Sequence, residues 1–366
     1  MQNTKWTFTA AIFLSFLAAG SLRAQQPSWH TYVDSISQGA PGDQTIAIDA
    51  KGNVWALYWD HNDSVSVGRF DGTSWTHFGP TDGVPQGRTH AIITDHAGNI
   101  WMSSDSGIAE FKDGSWHAFK IEDKYTGIRT YRALAADSNG NIWVATFANI
   151  VIEQLPGATY DSTWNEFYRF DGNTWTSFTP PYQFNWDGFN AIAFAPDGTL
   201  WATGMDGIDT VHKLFTNGLM RFDGTSWQSF NIEEGTGFTQ QPVGNTGGMT
   251  IVMGTALHPD HNGGVWVSLN QSSPNSSIAV YYFDGSKWDT TGLSGLRFTD
   301  VWIAPNGDKY FRSNIRNRNG YLTDSGALII VHSDGSLDSI PQSEIPFFPF
   351  SSIAFAPDGT PWLTFS

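Results

Sequence analysis

Residues 190–204 read NAIAFAPDGTLWATG, and residues 218–230 read GLMRFDGTSWQSF. The first segment joins an apolar run to a Trp-bearing run through a turn that contains Gly198, and the second joins two further runs through Asp-Gly. Short runs rich in Ile, Val, Phe, Trp and Thr, separated by Gly or Asp-Gly, are typical of β-hairpins. The two segments together therefore predict four consecutive antiparallel strands.

This four-strand unit recurs along the chain. Its first half occurs seven times, each copy with an aromatic residue three positions after a turn glycine, at Gly52, Gly98, Gly140, Gly198, Gly263, Gly307 and Gly359. The second half recurs with an Asp-Gly turn, at Asp71, Asp113, Asp171, Asp223 and Asp284, and in degenerate form at Asp334. The turn glycines lie 42 to 65 residues apart, and four-stranded propeller blades repeat at roughly 40–50 residues. The sequence therefore predicts an all-β, seven-bladed β-propeller.

The two ends of the chain complement one another. Residues 28–32 match the fourth strand of the unit, whereas residues 351–366 supply only its first two strands. We therefore expect the N-terminal strand to pair with the C-terminal blade and close the ring. The sequence offers no third strand for this shared blade, which leaves two interpretations: a three-stranded blade, or a chain cut short at its C-terminus.

Residues 1–24 have the pattern of a secretory signal peptide. Lys5 precedes an apolar run over residues 6–19, and Ala24 provides a small residue at a cleavage point. The run is shorter than the roughly 20 apolar residues that a membrane-spanning helix needs, and a retained membrane anchor is the alternative. We expect a signal peptide at 1–24 and a propeller at 25–366, exported to the periplasm, the cell surface or the extracellular space without a membrane span in the mature chain.

Composition narrows the classes of function. The chain has 366 residues, 17 Trp, no Cys and a formal net charge of −16. Without cysteine it has neither disulfides nor a thiol nucleophile, so burial of aromatic side chains must stabilise it. The acidic balance disfavours nucleic acid and anionic membrane surfaces, because both require clustered Lys and Arg.

The repeat contains a recognisable motif. Asp-x-x-Gly-Asn-hydrophobic-Trp occurs at residues 95–101 and 137–143, and Phe-Asp-Gly-x-x-Trp at residues 70–75 and 170–175. This alternation resembles the two-component-regulator propeller repeat, which is found in the periplasmic sensor halves of bacterial hybrid histidine kinases and in stand-alone exported proteins. The resemblance covers essentially all of the chain after residue 24. It implies a propeller whose tryptophans pack between blades, and it describes scaffold rather than chemistry.

We expect recognition to lie where the repeats differ. Two residues before the apolar start of each inner strand stands a polar residue: Gln44, His90, Arg132, Asn190, Thr255, Thr299 and Ser351. This register predicts a polar ring at one mouth of the central channel, which either solvates the channel or binds a ligand. His90 and Arg132 are its basic members.

The loops around this ring are rich in aromatic and polar residues. Those that we place near the ligand are Trp59, Arg129, Tyr131, Tyr182, Trp186, Asp187 and Arg297. Aromatic faces beside hydrogen-bonding groups suit sugars, although some of these aromatics are expected to pack against their own loops. We therefore predict a non-catalytic propeller that binds an oligosaccharide or a cell-envelope protein.

A metal-dependent enzyme is the alternative function. Streptogramin lyases and gluconolactonases, whose propellers this architecture resembles, hold a metal at the channel through carboxylates and His. Here the ring offers His90 but no carboxylate, since Asp300 lies one residue out of phase. The stretch His258–His261 has metal-ligand residue types, but we interpret it as a surface turn. We expect no cofactor, with a structural divalent ion in the channel as the alternative.

Overall fold

The computed structural model is all-β and forms a β-propeller. It describes residues 9–13, 29–33, 45–58, 66–121, 127–151, 161–180, 188–204, 207–208, 215–216, 218–230, 242–243, 248–249, 252–271, 277–289, 298–313, 327–346 and 350–364. Six four-stranded antiparallel sheets are each built from one stretch of chain, and within each sheet every strand pairs with its neighbours in sequence. This is the architecture of propeller blades.

The sheets are numbered here 1 to 6 in chain order. Sheet 1 consists of Ile46–Ile48, Val54–Leu57, Val67–Phe70 and Trp75–Phe78. Sheet 2 consists of Thr89–Thr94, Ile100–Ser104, Ile108–Lys112 and Ser115–Phe119. Sheet 3 consists of Gly127–Ala136, Ile142–Val151, Asp161–Phe170 and Trp175–Phe178. Sheet 4 consists of Phe189–Phe194, Leu200–Gly204, Leu219–Phe222 and Trp227–Phe230. Sheet 5 consists of Val252–Pro259, Val265–Gln271, Ser277–Phe283 and Trp288–Asp289. Sheet 6 consists of Phe298–Ile303, Lys309–Ser313, Ala327–Val331 and Leu337–Pro341. The sequence predicts the strands of sheet 4 at residues 191–195, 200–203, 218–222 and 226–230, which agrees with the structure to within two residues.

Smaller elements lie between these strands. Gly207–Ile208 pairs with Phe215–Thr216, and Pro242–Val243 pairs with Gly248–Met249. Two 3-10 helices span Pro80–Asp82 and Gln342–Glu344.

A further sheet, called the terminal sheet below, combines both ends of the chain. Its strands lie in the order Trp29–Val33, Thr9–Phe13, Pro361–Thr364 and Ser352–Phe355. The strand Trp29–Val33 therefore joins the C-terminal strands as expected, but not by direct pairing. Thr9–Phe13 lies between them and supplies the third strand that neither interpretation of the sequence foresaw.

Aromatic side chains pack each sheet against the next. Trp55 of sheet 1 lies 4.6 Å, centroid to centroid, from Phe111 of sheet 2. An equivalent pair of aromatic rings joins each of the following pairs of neighbouring sheets. The distances between ring centroids are 6.1 Å for Trp101 and Phe170, 6.2 Å for Trp143 and Phe222, 5.9 Å for Trp201 and Phe283, 5.2 Å for Trp266 and Phe311, 5.0 Å for Tyr310 and Phe355, and 6.3 Å for Trp362 and Phe70. The prediction that the repeated tryptophans pack between sheets is confirmed.

The turn after each first strand explains why the motif contains both Asp and Trp. In sheet 3, Asp137 Oδ1 accepts hydrogen bonds from the main-chain N–H groups of Asn139 and Asn141. Its Oδ2 accepts from Asn141 Nδ2 at 2.8 Å and from Trp143 Nε1 at 3.0 Å. One carboxylate thus fixes the turn and satisfies a buried indole, and Asp49 and Asp95 do the same in sheets 1 and 2. We call this arrangement the Asp–Trp lock.

The Asp-Gly turns between third and fourth strands are capped by their own aspartates. Asp71 Oδ1 accepts from the main-chain N–H groups of Thr73 at 2.9 Å and Ser74 at 2.8 Å, and Gly72 adopts a φ of 95°. Hydrogen bonds from Thr73 and Ser74 hold the pKa of Asp71 well below its usual range. These aspartates therefore serve the turns.

Candidate ligand-binding face

Five first strands carry a β-bulge near their beginning. The pairing with the second strand shifts register between Thr89 and Ala91, and the equivalent shift recurs in sheets 3 to 6. The residues at these shifts are His90, Arg132, Asn190, Thr255 and Thr299. Each belongs to the polar register predicted from the sequence. We call these five residues the bulge ring.

A bulge explains why a polar residue recurs at this register. The extra residue of a bulge is left out of the ladder, so its side chain is re-aimed relative to the regular alternation of the strand. The residues that follow, such as Ala91, Ile92, Ala133 and Leu134, are buried in the core. The bulge therefore lets one polar side chain precede an apolar run without falling into the register of that run.

In sheet 2 the bulge ring contains a His–Asp pair. His90 Nε2 lies 2.6 Å from Asp105 Oδ1, and the His90 side chain is 9% exposed whereas that of Asp105 is 42% exposed. Burial lowers the pKa of His90 below its ordinary value, and Arg132 and Arg88 add to this, although Asp105 opposes it. The imidazole is therefore neutral at pH 7, with Nε2–H donated to Asp105 and Nδ1 as an acceptor.

In sheet 3 a buried polar group lies behind the bulge ring. Glu166 accepts hydrogen bonds from Tyr168 Oη at 2.8 Å and from Thr179 Oγ1 at 3.2 Å. Arg129 donates to Thr146 and lies over the ring of Tyr168, with its guanidinium carbon 5.1 Å from the centroid. Burial and the bond to Glu166 raise the pKa of Tyr168. These contacts hold the guanidinium of Arg129 between Thr146 and the ring of Tyr168.

The predicted residues of sheet 3 therefore divide into two kinds. Tyr131 is buried in the core between sheets 2 and 3, and burial raises the pKa of its hydroxyl. Its ring therefore packs in this core, and its proposed contact with a ligand stays a prediction. Arg129 and Arg132 are half-buried and retain accessible surface. Sequence reasoning missed Glu166 and Tyr168, because the strand Asp161–Phe170 also contains Asn165 and Arg169 and the charge of Glu166 alone did not distinguish it.

Between sheets 4 and 5 the bulge ring takes part in packing. Asn190 Nδ2 donates to the carbonyl oxygen of Gly254 at 3.0 Å. Thr203 Oγ1 donates to the carbonyl oxygen of Gly218 at 2.6 Å. A Cβ atom on Gly254 would lie 1.8 Å from Thr203 Oγ1, so the two sheets approach closely only because residue 254 is glycine. Asn190 thus links two sheets through its amide nitrogen.

In sheet 6 the ring residue Thr299 is bound by an arginine. Arg312 Nε donates to Thr299 Oγ1 at 2.9 Å, and the guanidinium also donates to Asp300 and to the carbonyl oxygen of Phe350. Asp300 is therefore neutralised by Arg312. Among the described residues, no three His, Asp or Glu side chains come together as a group that could hold a metal ion.

Six of the predicted residues cannot be placed. Outside the described residues lie Gln44, Trp59, Tyr182, Trp186, Asp187 and Arg297. The structure brings His90 and Arg132 near one another from adjacent sheets, because the charge of Arg132 contributes to the lowered pKa of His90. Sheets 2 and 3 therefore carry the best-defined part of the candidate ligand-binding face.

A cavity of about 430 Å³ lies at the other end of the first strands. Its lining comes from the last residues of first strands in sheets 1, 2, 4, 5, 6 and the terminal sheet, among them Ile48, Thr94, His258, Ile303 and Phe355. Sequence reasoning missed this cavity. His258 lies within the strand Val252–Pro259 and lines the cavity, so the prediction of a surface turn is wrong for that residue.

The turn after His258 is built by a neighbouring aspartate. Asp260 is buried, and its Oδ1 accepts from the main-chain N–H groups of Asn262 at 2.8 Å and Gly264 at 3.2 Å. His261 is exposed. In residues 258–261 the carboxylate therefore caps a turn, as it does in sheets 1 to 3.

No helix in the described part of the chain is long and apolar enough to cross a membrane.

Comparisons with known proteins agree on the fold. Residues 127–148, which include Arg129, Tyr131 and Arg132, match the family model described as two component regulator propeller. A streptogramin B lyase structure superposes with a TM-score of 0.52 at 14% identity, covering 90% of this chain and 92% of that one. Virginiamycin B lyase from Staphylococcus aureus gives 0.50 at 13% identity, covering 90% and 96%. YCF48 bound to D1 peptide gives 0.50 at 13% identity, covering 90% and 94%.

At these identities the superpositions establish the β-propeller fold alone. A search of curated proteins finds no match. The chain thus carries the propeller repeat that its sequence resembles, and its ligand has to be argued from its own residues.

Proposed function

We propose that this protein is an exported, non-catalytic propeller that binds an oligosaccharide at the face that carries the bulge ring. The bulge ring itself is the observation that carries the proposal. Five polar side chains stand at one register of adjacent sheets, and bulges are over-represented next to binding and active sites because they re-aim side chains. The scaffold is rigid there and the side chains differ from sheet to sheet, which is the pattern of recognition on a propeller.

The chemistry of sheets 2 and 3 suits sugar hydroxyls. A neutral His90 bound to Asp105 offers an acceptor at Nδ1, and the half-buried Arg132 and Arg129 offer donors. Hydroxyl groups both donate and accept, so a site that combines donors with an acceptor can satisfy them. Trp59, Tyr182 and Trp186, which follow or precede strands at this end in the sequence, are proposed to stack on the apolar faces of the sugar.

We also propose that the ring has seven blades and is closed by the terminal sheet. Support comes from its contacts on both sides. Trp362 lies 6.3 Å from Phe70 of sheet 1, and Tyr32 lies 4.5 Å from the same ring. On the other side Ile353 and Leu363 pack in one cluster with Trp302 of sheet 6. The proposed leader, residues 1–24, belongs to the same hypothesis of export.

A glycan array with purified protein tests the proposed ligand class. We expect at least one oligosaccharide to bind, and Arg132→Ala to weaken that binding at least tenfold, about 1.4 kcal/mol. The matched control is Lys51→Ala, which removes an exposed cation from a turn at the opposite end of a first strand. Equal loss in both variants, or an array without a binder, would count against a carbohydrate ligand.

A peptide is the second ligand class, because YCF48 was solved with a D1 peptide and shares the fold. If the array is empty, binding of cell-envelope peptides that responds to Arg132→Ala and not to Lys51→Ala would move the proposal to a protein partner. Elemental analysis of the purified protein tests for a bound divalent ion. If removal of that ion also abolished activity on a lactone or a cyclic depsipeptide, the result would instead support a metal-dependent enzyme.

A further inference from the structure

The cavity at the far end of the first strands, called the end cavity below, has a mostly apolar wall. In the described part of the chain its lining side chains are apolar except for Thr94, His258 and the indole nitrogen of Trp302. A buried water molecule needs several polar partners, so a wall of this kind holds water poorly. The end cavity therefore favours an apolar occupant.

Several apolar side chains of this wall are not fully covered by the protein. Ile93, Ile303 and Phe355 line the end cavity and are half-buried, whereas Ile92 and Ile353 in two of the same strands are buried. Apolar surface that an incoming molecule removes from water contributes favourably to binding. The volume of about 430 Å³ also lies within the range of small-molecule sites, roughly 300–1,000 Å³.

Two lining residues depart from the pattern of the repeat. In every sheet one residue of the first strand pairs with the repeated aromatic residue of the second. The residues at this position are Ala47, Ile93, Ala135, Ala193, His258, Trp302 and Ala354. Alanine or isoleucine suffices in the other sheets, so the scaffold does not require His258 or Trp302. Departures of this kind are expected at functional sites, and these two lie in adjacent sheets and both line the end cavity.

His258 and Trp302 form one corner of the end cavity. Their ring centroids lie 6.4 Å apart, and Trp302, only 3% exposed, also lies 5.5 Å from Phe350. Packing therefore fixes the indole, whereas His258 is half-buried and its imidazole can donate or accept a hydrogen bond. Thr94 Oγ1 already donates to the carbonyl oxygen of Ile48 at 2.8 Å. His258 is thus the lining residue best suited to bind a polar group of a ligand.

We propose that the end cavity binds a small, largely apolar organic molecule that carries one hydrogen-bonding group, with His258 as its polar contact. Burial against the apolar wall supplies most of the affinity, and the imidazole fixes the orientation of the ligand. The end cavity lies at the opposite end of the first strands from the bulge ring. The proposal is therefore independent of the oligosaccharide ligand and can be tested separately.

Equilibrium dialysis of the full chain with naphthalene and 1-naphthol tests the polar contact, because these probes differ by one hydroxyl group. We expect each probe to bind saturably, at one molecule per protein. His258→Phe keeps an aromatic ring but removes the ring nitrogens, so the preference for 1-naphthol over naphthalene should fall about three- to tenfold, the value of one hydrogen bond. Comparing the ratio of affinities in the two proteins cancels the different hydration of the probes.

A second variant tests the position of the site. Ala193→Phe fills the end cavity from sheet 4 and should abolish binding of both probes. The matched control is Ala97→Phe, which adds the same side chain in an exposed turn and should leave probe binding unchanged. Melting temperatures verify that each variant is folded. If Ala193→Phe does not fold, Ala354→Leu fills the same cavity from the terminal sheet.

Two results would overturn the end cavity as a ligand site: no saturable binding of either probe up to its solubility in water, or binding that survives the cavity-filling variant in folded protein. An unchanged preference for 1-naphthol in His258→Phe would overturn the role given to His258. Glycan binding is measured in the same variants and should persist in all of them, so the failure of one site is distinguished from the failure of the other.

Discussion

At the end of the first strands, the turns of sheets 1, 2 and 3 repeat one arrangement: Asp49, Asp95 and Asp137 each accept a hydrogen bond from the indole of their own sheet. At the beginning of the same strands, the bulge places His90 in sheet 2 and Arg132 in sheet 3. The repeated end serves folding, and the varied end is free to serve recognition. The predictions below separate these two roles by asking which changes alter stability and which alter binding.

The largest expected effect is at the repeated end. Asp137→Ala leaves the buried Trp143 Nε1 and two turn N–H groups without their acceptor, so we expect a loss of about 3 kcal/mol in the free energy of unfolding. Chemical denaturation measures it. The matched control is Asp197→Ala in sheet 4, where the carboxylate accepts only from Thr199 N at 2.9 Å among the bonds of the described residues. There we expect no more than about 1 kcal/mol.

The assignment of stability to the turn end and of binding to the bulge end would be contradicted if Asp137→Ala weakened glycan binding in protein that is still fully folded. Unchanged affinity below the unfolding transition would show that the turn end contributes to stability alone.

A smaller effect is expected at the varied end, where sheets 4 and 5 meet. Gly254→Ala forces a methyl group against Thr203, and overpacking of this kind costs about 1–3 kcal/mol. Because Gly254 also accepts the bond from Asn190, this variant should alter binding as well as stability. Adding Thr203→Ala should recover part of the stability by making room. A double variant no more stable than Gly254→Ala would mean that the contact is not the source of the cost.

A gain of stability is expected where the Asp–Trp lock is missing. Sheet 4 has Ala195 at the position of the aspartate, and Trp201 Nε1, in a side chain only 1% exposed, has no hydrogen-bond partner among the described residues. Ala195→Asp should supply one and add about 1 kcal/mol. In a Trp201→Phe background, which has no indole N–H, the same substitution should add less, because only the main-chain N–H groups of the turn remain to be bound. A gain of equal size in both backgrounds would argue against the lock.

The smallest effect concerns pH. His332 lies 3.0 Å from Asp338 and 2.9 Å from Asp308, and these bonds raise the pKa of His332 above its ordinary value against the effect of partial burial. A raised folded pKa stabilises the protein below the unfolded pKa, and that contribution is lost as pH rises through the folded value. For this partly exposed site we expect less than about 1 kcal/mol.

Thermal unfolding of wild type and His332→Gln checks the sign. The difference in melting temperature should favour wild type near pH 5.5 and shrink by pH 8.5, a window that follows from an ordinary imidazole pKa of roughly 6.5 raised in the fold. Burial alone would raise the pKa of Asp308, but bonds from His332 and Ser333 lower it overall, so this carboxylate stays ionised throughout. A difference that grew with pH would contradict the assignment.

Much of the fold could be predicted from the sequence because the same residue types recur at the same positions of each repeat. Gly198 and Trp201 recur at fixed spacing, and the turn that needs a positive φ is visible as glycine. Thr9–Phe13 could not be predicted as a strand, because its apolar pattern is also that of a leader.

The site was predictable only in outline. The polar register was visible, but pairing between strands was needed to show that residues such as His90 and Arg132 are bulges. Asp105 acts on His90 through a contact between residues 15 positions apart, which spacing along the chain does not reveal.

Hydrogen exchange of the protein with and without its strongest glycan-array binder tests the central claim most directly. We predict that protection on binding appears at residues 88–91 and 129–133, at the beginning of the first strands, and not at residues 49–53 and 95–99 in the turns at their far end. Protection confined to those turns, or to the cavity near His258, would contradict the assignment of recognition to the bulge ring.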